Sequence, residues 1–390
     1  MFICRRLLQI GVLTPFLLSA CASPHPPATA PDLPSTASSS SPIRIGPSEP
    51  TAPESSGEPS ATVLPSGRLR PEVDAFARDL AARQNLPLDR VLGSLSSARY
   101  SATVARLILP STPDHKVWRS WLTYRSRFVE PKRIRWGAEF WQANAATLNQ
   151  AAQRYGVPAK IIAGIIGVET IYGRNMGSFR VMDALATLAF DYPVPDKPDR
   201  AEMFRGQLAD FITLALQGRL DMDTRGSYAG AIGMPQFMPG SITRYAVDGS
   251  GNTGGPIDLA NNPADAIMSV GNYLASHGWV RGVPVFAPVT LPADPSALVA
   301  GGLEPTLDWD KLKAAGARVS AGGGEGAWSR QPLGIVDLVE EARGTAQYRT
   351  GTPNFFAITQ YNHSYFYATA VSDLADAVAA QVAPASAGAL

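Results

Sequence analysis

The stretch VPAKIIAGIIGVETIYGRNMG, Val157 to Gly177, decides how this chain is read. Ile161, Ile165 and Glu169 are spaced i, i+4, i+8, which puts them on one face of a helix. Ile162 and Ile166 widen that apolar face. Pro158 suits the first helical position, because its missing N–H would be unpaired there anyway. Gly173, followed by Arg174 and Asn175, reads as the helix stop. An acid on an apolar face near the negative end of a helix holds its proton more tightly than a free glutamate. A general acid working near neutral pH needs that property. The pattern alone leaves a second reading open, in which Glu169 is an exposed last-turn acid paired with the nearby Arg174.

Further segments narrow the choice. They are YAGAIGMPQFMPGS at Tyr228–Ser241, YAVDGSG at Tyr245–Gly251, PADAIMSVGNYLASHGW at Pro263–Trp279 and ITQYNHSYFYATAV at Ile358–Val371. Together with GVETIYGRNMG, and in this order, they resemble the membrane-bound lytic transglycosylase B family, glycoside hydrolase family 103. The resemblance covers roughly residues 70–380, and five ordered motifs are far more specific than one.

The resemblance implies a mainly α (α+β) protein with a lysozyme-like helical core. It implies cleavage of the β-1,4 bond between N-acetylmuramic acid and N-acetylglucosamine in peptidoglycan, with a 1,6-anhydro ring as product. Glu169 would serve as both acid and base. Tyr124 in LTYRSRF, Ser227, Gln236, Phe237, Tyr273, Tyr361, Asn362 and Tyr367 match the family's substrate-cleft positions. These residue types suit sugars, since aromatic rings offer apolar faces while hydroxyls and amides offer polar contacts. For each aromatic, core packing is the competing reading. Asp183 and Asp191 lie downstream, but nothing in the sequence sets either across the bond from Glu169, as a hydrolase would ordinarily require. A hydrolysing muramidase on the same fold and a non-catalytic peptidoglycan-binding scaffold are the rival functions.

No cofactor is required for this chemistry. The loop Asp248-Gly-Ser250-Gly-Asn252 has oxygen donors at alternate positions, which suits calcium. In the family this loop resembles an EF-hand, and Asp265 aligns with its closing acid. Here the loop is about two residues longer and its third ligand is neutral, so two readings stay open, a weakly held structural calcium and a metal-free turn. The four histidines, His25, His115, His277 and His363, form no zinc spacing.

The first twenty residues read as a processing signal. Arg5 and Arg6 precede a short apolar run, and Leu18-Ser19-Ala20-Cys21 resembles a bacterial lipoprotein site with lipid on Cys21. The run is too short for an ordinary transmembrane helix. Ala22 follows the cysteine where an inner-membrane retention Asp would stand, so the expected site is the periplasmic face of a Gram-negative outer membrane. Residues 21–66 are rich in Pro, Ser, Ala and Thr and read as a disordered tether. Fully extended, that tether would span on the order of 140 Å at about 3.1 Å per residue.

The remainder divides by pattern. Residues 67–140 read as a helical N-terminal part, 141–282 as the catalytic core, and 283–353 as a small strand-containing insertion. Residues 354–382 return to the core and 383–390 form a tail. Helices are expected over PEVDAFARDLAARQ, from Ala138 to Tyr155, Ala201 to Gln217, Pro263 to His277 and Ser364 to Gln381. VPVFAPVTL reads as strand and turn, and AGGGEGAW at Ala321–Trp328 as a flexible turn. The chain has 34 Lys and Arg against 33 Asp and Glu, so no basic excess points to nucleic acid. With only Cys4 and Cys21, stability must come from a core, and 45% hydrophobic residues can supply one. The expected partners are glycan strands and, through the lipid, a membrane; the expected state is a monomer.

Overall fold

A computed structural model describes residues 61–109, 118–252 and 256–387, the last five of these in backbone only. Cys21, the leader, most of the tether and residues 388–390 lie outside the described residues. The tether ends earlier than composition suggests. Ala61 and Thr62 are buried, Thr62 Oγ1 donates to Leu95 O at 2.6 Å, and Val63 bridges Leu69.

The described chain is mainly helical. It opens with α1 (Pro71–Gln84), α2 (Leu88–Ser96), α3 (Ala102–Leu107) and α4 (Trp121–Ser126). Next come α5 (Pro131–Ala143), α6 (Ala145–Tyr155) and α7 (Ala159–Thr170). A short pair, β1 (Phe179–Arg180) and β2 (Arg225–Gly226), encloses α8 (Val181–Phe190) and α9 (Pro198–Leu216). Two more helices follow, α10 (Pro239–Tyr245) and α11 (Pro263–Ser276). The insertion holds β3 (Val289–Thr290), α12 (Trp309–Ala314), β4 (Arg318–Val319), β5 (Gly334–Glu340) and β6 (Thr345–Gly351). Helices α13 (Pro353–Asn362) and α14 (Tyr365–Ala387) complete the fold.

Helix starts follow local chemistry. Glu130 caps α5 by accepting from the backbone N–H of Lys132 and Arg133 at 2.8 and 2.6 Å, with Pro131 at the first position. Asn262 before Pro263 and Thr352 before Pro353 do the same for α11 and α13. The single helix expected from Ala138 to Tyr155 is two. Asn144, at φ −121°, ends α5 and begins α6, and its amide donates back to Phe140 O.

Helix α7 is the axis of the core. Ile161, Ile162, Ile165 and Ile166 are all buried, so it is covered around its circumference rather than along one stripe. It packs against α5, α6, α11 and α14. Gly164 lets α14 approach closely: a side chain there would meet Val371 O at 2.8 Å. Pro158 lies just outside the helix as its cap, at ψ 139°, and not at its first position. A proline's missing N–H leaves nothing unpaired there either.

The insertion has its own small core of Val283, Trp309, Leu312, Trp328, Leu333 and Ile335, with Trp309 and Trp328 edge to face at 5.0 Å. Its main sheet is the β5–β6 hairpin, in register from Gly334↔Gly351 to Glu340↔Thr345. VPVFAPVTL contributes only Val289–Thr290 to a strand, paired with Arg318–Val319, plus a bridge from Phe286 to Gly351. AGGGEGAW ends in a 3₁₀ turn that buries Trp328.

Candidate active site

Glu169 occupies the last turn of α7, a helix buried along nearly its whole length. Burial pushes its carboxyl from the ordinary 4.5 up to about 7, against the pull of a hydrogen bond from Tyr367. The Tyr367 hydroxyl donates to Glu169 Oε1 at 2.5 Å. Among the described residues no second carboxylate contributes to the shift. Arg174 pairs with Glu139 at 3.5 Å, not with Glu169. Asp183 is held by Arg180 at 2.9 Å and Asp191 by Arg70 at 2.8 Å.

The helix stop is not Gly173. It comes two residues earlier, where Ile171 at φ +53° and Tyr172 at φ +57° turn left-handed ahead of Gly173 at φ +83°. Such a backbone costs roughly 1–3 kcal/mol per non-glycine residue, and more surely for a β-branched one. Three contacts hold it. Thr170 Oγ1 donates to Met234 O at 2.8 Å and accepts from Gly173 N at 3.0 Å. The Tyr172 ring fills the space that side chains on Gly137 and Gly167 would occupy, and it packs on Phe140. Arg133 Nη1 donates to Gly167 O at 3.0 Å, at the electronegative end of α7. No sequence pattern pointed to Thr170, Tyr172 or Arg133. The only available signal was a hydroxyl residue in a last turn.

Of the residues expected to line a cleft, Tyr124, Tyr273, Tyr361 and Tyr367 lie close enough to the end of α7 for the Glu169 charge to act on their phenols. Tyr124 lies near enough to feel the Glu169 charge, which adds to the larger upward push of burial on its phenol. It stacks among Trp121, Phe128 and Phe366. Helix α4 is fixed by Asp373 of α14, which accepts from Arg125 Nε at 2.6 Å and from Arg349 Nη1 at 2.6 Å. Tyr361, half-buried, donates to Pro235 O at 2.7 Å and stacks on Tyr367 at 6.2 Å. Gln236, at φ +50°, donates to Gly233 O at 2.9 Å and Met176 O at 3.2 Å. Ser227 Oγ accepts from Ala231 N at 3.0 Å, closing the turn within the YAGAIG segment. Asn362 is half-buried at the C-terminus of α13.

Phe237, Tyr273 and Tyr367 are placed differently from open sugar platforms. They are 2%, 7% and 2% exposed, so they support the partly open rings rather than offering faces themselves. Tyr273 donates to Gln360 O at 2.8 Å and lies 4.7 Å from Tyr361 and 5.5 Å from Phe237. Tyr245 and His277, not singled out from sequence as site residues, extend this aromatic block. His277 stacks on Tyr273 at 4.0 Å.

The Asp248 loop has oxygen donors only. Asp248 Oδ1 accepts from Ser250 N, Ser250 Oγ and Asn252 N at 2.9, 2.6 and 2.9 Å, which holds its carboxyl below the usual range. Asp265 is buried and accepts from Asp258 N and Asn262 Nδ2. Burial raises its carboxyl, and repulsion from Asp248 and Asp258 adds to that. Arg154 braces the loop from outside through Ser250 O and Gly251 O. Residues 253–255 lie outside the described residues. Among the described residues no group of three or more His, Cys, Asp or Glu side chains is arranged to hold a metal. The residues expected to hold calcium are two acids, Asp248 and Asp265, with neutral Ser250 and Asn252, a donor set that suits a hard cation held weakly.

Comparison with known proteins gives this arrangement a lineage. The family described as transglycosylase SLT domain matches residues 68–376. Membrane-bound lytic murein transglycosylase B of Escherichia coli is 40% identical over 337 residues, spanning 83% of this chain and 87% of that protein. The soluble lytic transglycosylase SltB1 from Pseudomonas aeruginosa superposes with a TM-score of 0.69 at 38% identity, over 80% of this chain and 99% of that one. The Escherichia coli lytic transglycosylase SLT35, in complex with calcium, gives a TM-score of 0.69 at 37% identity, over 83% of this chain and 96% of that one. This chain belongs to the lytic transglycosylase family that carries the transglycosylase SLT domain.

Proposed function

We propose that this chain is a peptidoglycan lytic transglycosylase in which Glu169 alone carries the proton transfers. The observation that carries the reading is a desolvated carboxyl, raised to about 7, with a tyrosine as its hydrogen-bonding neighbour and, among the described residues, no second acid acting on it. At neutral pH a large fraction of Glu169 is protonated. It gives that proton to the glycosidic oxygen as the bond to the muramoyl anomeric carbon breaks. The carboxylate then takes the proton of the muramoyl 6-hydroxyl as that oxygen closes on the anomeric carbon. The proton count balances, Glu169 ends protonated, and no water is consumed. The N-acetyl group of the substrate can assist at the anomeric carbon.

Tyr124, Ser227, Gln236, Tyr361 and Asn362 are proposed to line the glycan site, with Phe237, Tyr273 and Tyr367 behind them. Calcium in the Escherichia coli relative supports an optional structural ion in the Asp248–Asp265 loop. Asp248, Ser250, Asn252 and Asp265 would hold it, and it has no part in bond cleavage.

Among the described residues no helix is long and apolar enough to cross a membrane. Anchoring is proposed through lipid on Cys21, at the periplasmic face of an outer membrane, with the enzyme acting as a monomer. Mass spectrometry of digested peptidoglycan tests the activity. Anhydro-muramoyl ends are expected; reducing ends would assign a hydrolase, and intact strands a binding scaffold. Cys21→Ala should move the protein from the membrane to the soluble fraction with cleavage retained. An unmodified Cys21 in the mature protein would refute the anchor.

A further inference from the structure

Helix α4 carries Tyr124 and has only six residues, too few to hold a helix unaided. Trp121, Tyr124 and Arg125 are spaced i, i+3, i+4 and share one of its faces. On α14, Phe366 and Asp373 are spaced i, i+7 and likewise share a face. The two faces meet twice. The Phe366 ring lies 5.5 Å from both Trp121 and Tyr124. Two turns further along α14, the Asp373 carboxylate accepts from Arg125 Nε at 2.6 Å. The same carboxylate reaches the insertion. Arg349 of β6 donates from Nη1 to Asp373 Oδ1 at 2.6 Å and from Nη2 to Oδ2 at 3.2 Å. The Asp373 side chain is only 9% exposed, so its charge depends on these three N–H donors.

The insertion also grips the start of α4. Ser120 bridges Glu340 at the end of β5, Leu122 N donates to Glu340 Oε1 at 2.6 Å, and Arg119 Nε donates to Glu341 Oε1 at 2.6 Å. The helix is therefore fixed at its first turn by the β5–β6 hairpin and at its last by Asp373. Ring contacts carry that position to Glu169 along two routes. Phe366, on which Tyr124 lies, precedes Tyr367, whose hydroxyl donates to Glu169 Oε1. On the other side Tyr124 packs on Phe128 at 5.0 Å, Arg133 lies over Phe128 at 5.1 Å, and Arg133 Nη1 holds Gly167 O. A shift of α4 thus displaces rings that rest directly on the supports of Glu169.

We propose that Asp373 is a positioning residue for cleavage: by holding Arg125 and Arg349 together it sets α4, and with it Tyr124, against the Glu169 end of the cleft. The insertion hairpin, through Arg349, Glu340 and Glu341, then has a part in substrate binding. The proposal rests on the reading of Tyr124 as a cleft residue given above. Asp373 acts through α4, and Tyr124 is the group that meets the glycan.

The test is a mutant cycle in the whole chain on peptidoglycan strands, with KM and kcat read separately and folding confirmed by thermal melting. Asp373→Asn keeps the shape and loses the charge that joins the two guanidinium groups. Its kcat/KM should fall by roughly ten- to a hundredfold, the scale of a misplaced binding group, chiefly through KM. Tyr124→Ala should raise KM as well, and in that background Asp373→Asn should raise it no further, since both act at one place. Arg125→Met and Arg349→Met each leave Asp373 one partner and should raise KM by less; they carry the test if Asp373→Asn does not fold. Asp376→Asn, which breaks the exposed pair with Lys160 on the same helix, should leave KM at the wild-type value. A lowered melting point with KM unchanged makes Asp373 structural only and overturns the proposal. So do additive KM effects of the Tyr124 and Asp373 changes. Absence of anhydro ends from wild type is a separate result and removes the transglycosylase reading; the affinity of Glu169→Gln for the strands, with and without Asp373→Asn, then still decides the positioning role.

Discussion

Glu169→Gln separates the catalytic role proposed for the acid from what its burial does to the fold. The carboxyl ionises at about 7 in the native protein, against 4.5 when unperturbed. That gap of about 2.5 units, at about 1.36 kcal/mol per unit, corresponds to about 3 kcal/mol. Below about pH 4.5 the group is protonated in both folded and unfolded chains, and ionisation costs the fold nothing. Between about 4.5 and 7 the native chain binds the extra proton, so this group makes stability fall as pH rises. Above about 7 it is ionised in both states and the full cost is present. The glutamine variant does not titrate. Its stability minus that of wild type should therefore climb by about 3 kcal/mol from acid to mildly alkaline pH. Urea unfolding of both proteins at matched pH values isolates this term, because every other titrating group is common to the pair. The substituted amide can still accept from Tyr367, which adds only an offset independent of pH. Cleavage by the variant should fall at least on the order of a hundredfold. A stability difference flat with pH would mean that Glu169 is well solvated, and anhydro-muropeptide release near the wild-type rate in a folded variant would remove it from the chemistry.

Three further outcomes follow from named contacts. Tyr367→Phe removes the hydrogen bond that holds the Glu169 carboxyl down, so the alkaline limb of kcat/KM should move upward by roughly one to two pH units, from a charged hydrogen bond of about 1.5–3 kcal/mol. A limb that stays put or moves to lower pH contradicts the geometry. Thr170→Val leaves Met234 O and Gly173 N without their buried partner and should cost about 2–4 kcal/mol in urea unfolding; a change under about 0.5 kcal/mol would show that the left-handed turn does not depend on it. Millimolar calcium should raise the melting midpoint of wild type and leave Asp265→Asn unmoved, since an ion that binds only the native state must stabilise it. An unchanged midpoint across that range rejects a stabilising site.

Much of the fold was legible because its strongest elements announce themselves locally. Pro71, Pro131, Pro263 and Pro353 each open a helix, and three of them follow a side chain that caps it. The boundary that failed, at Asn144, had no proline or glycine to mark it; the break comes from an asparagine returning its amide to Phe140 O. The β5–β6 hairpin was missed within a region read only as strand-containing. Asp337, Glu340, Gln347 and Arg349 interrupt its apolar pattern, and its two strands need each other before either shows a face. Composition placed residues 61–66 in the tether because it weighs a segment's own apolar content. Thr62 is held by Leu95 O of α2, some thirty residues away, and Ala61 O by the Arg70 guanidinium.

The site divides along the same line. Glu169 was visible because an acid among isoleucines is a local contradiction, and burial of α7 turns that contradiction into a raised pKa. The machinery that presents it was not visible. Isoleucine and tyrosine are poor choices for consecutive left-handed positions by local preference. They hold that conformation because Gly137 and Gly167 empty a slot for the Tyr172 ring, Thr170 ties the turn to Met234, and Arg133 answers the carbonyls left open by the early stop. The participants come from α5, α7 and the loop before α10, and they meet only in the folded chain. The partial exposure of Tyr124 and Tyr361 against the burial of Phe237, Tyr273 and Tyr367 has the same origin. Aromatic identity can be read from sequence, but which ring stays open depends on what covers it, and here Tyr361 is the ring against which both Tyr273 and Phe237 are packed. Shortening Tyr361 to alanine should therefore lower stability in urea unfolding more than its own lost hydrogen bond implies, because it removes the surface that keeps two buried rings in place.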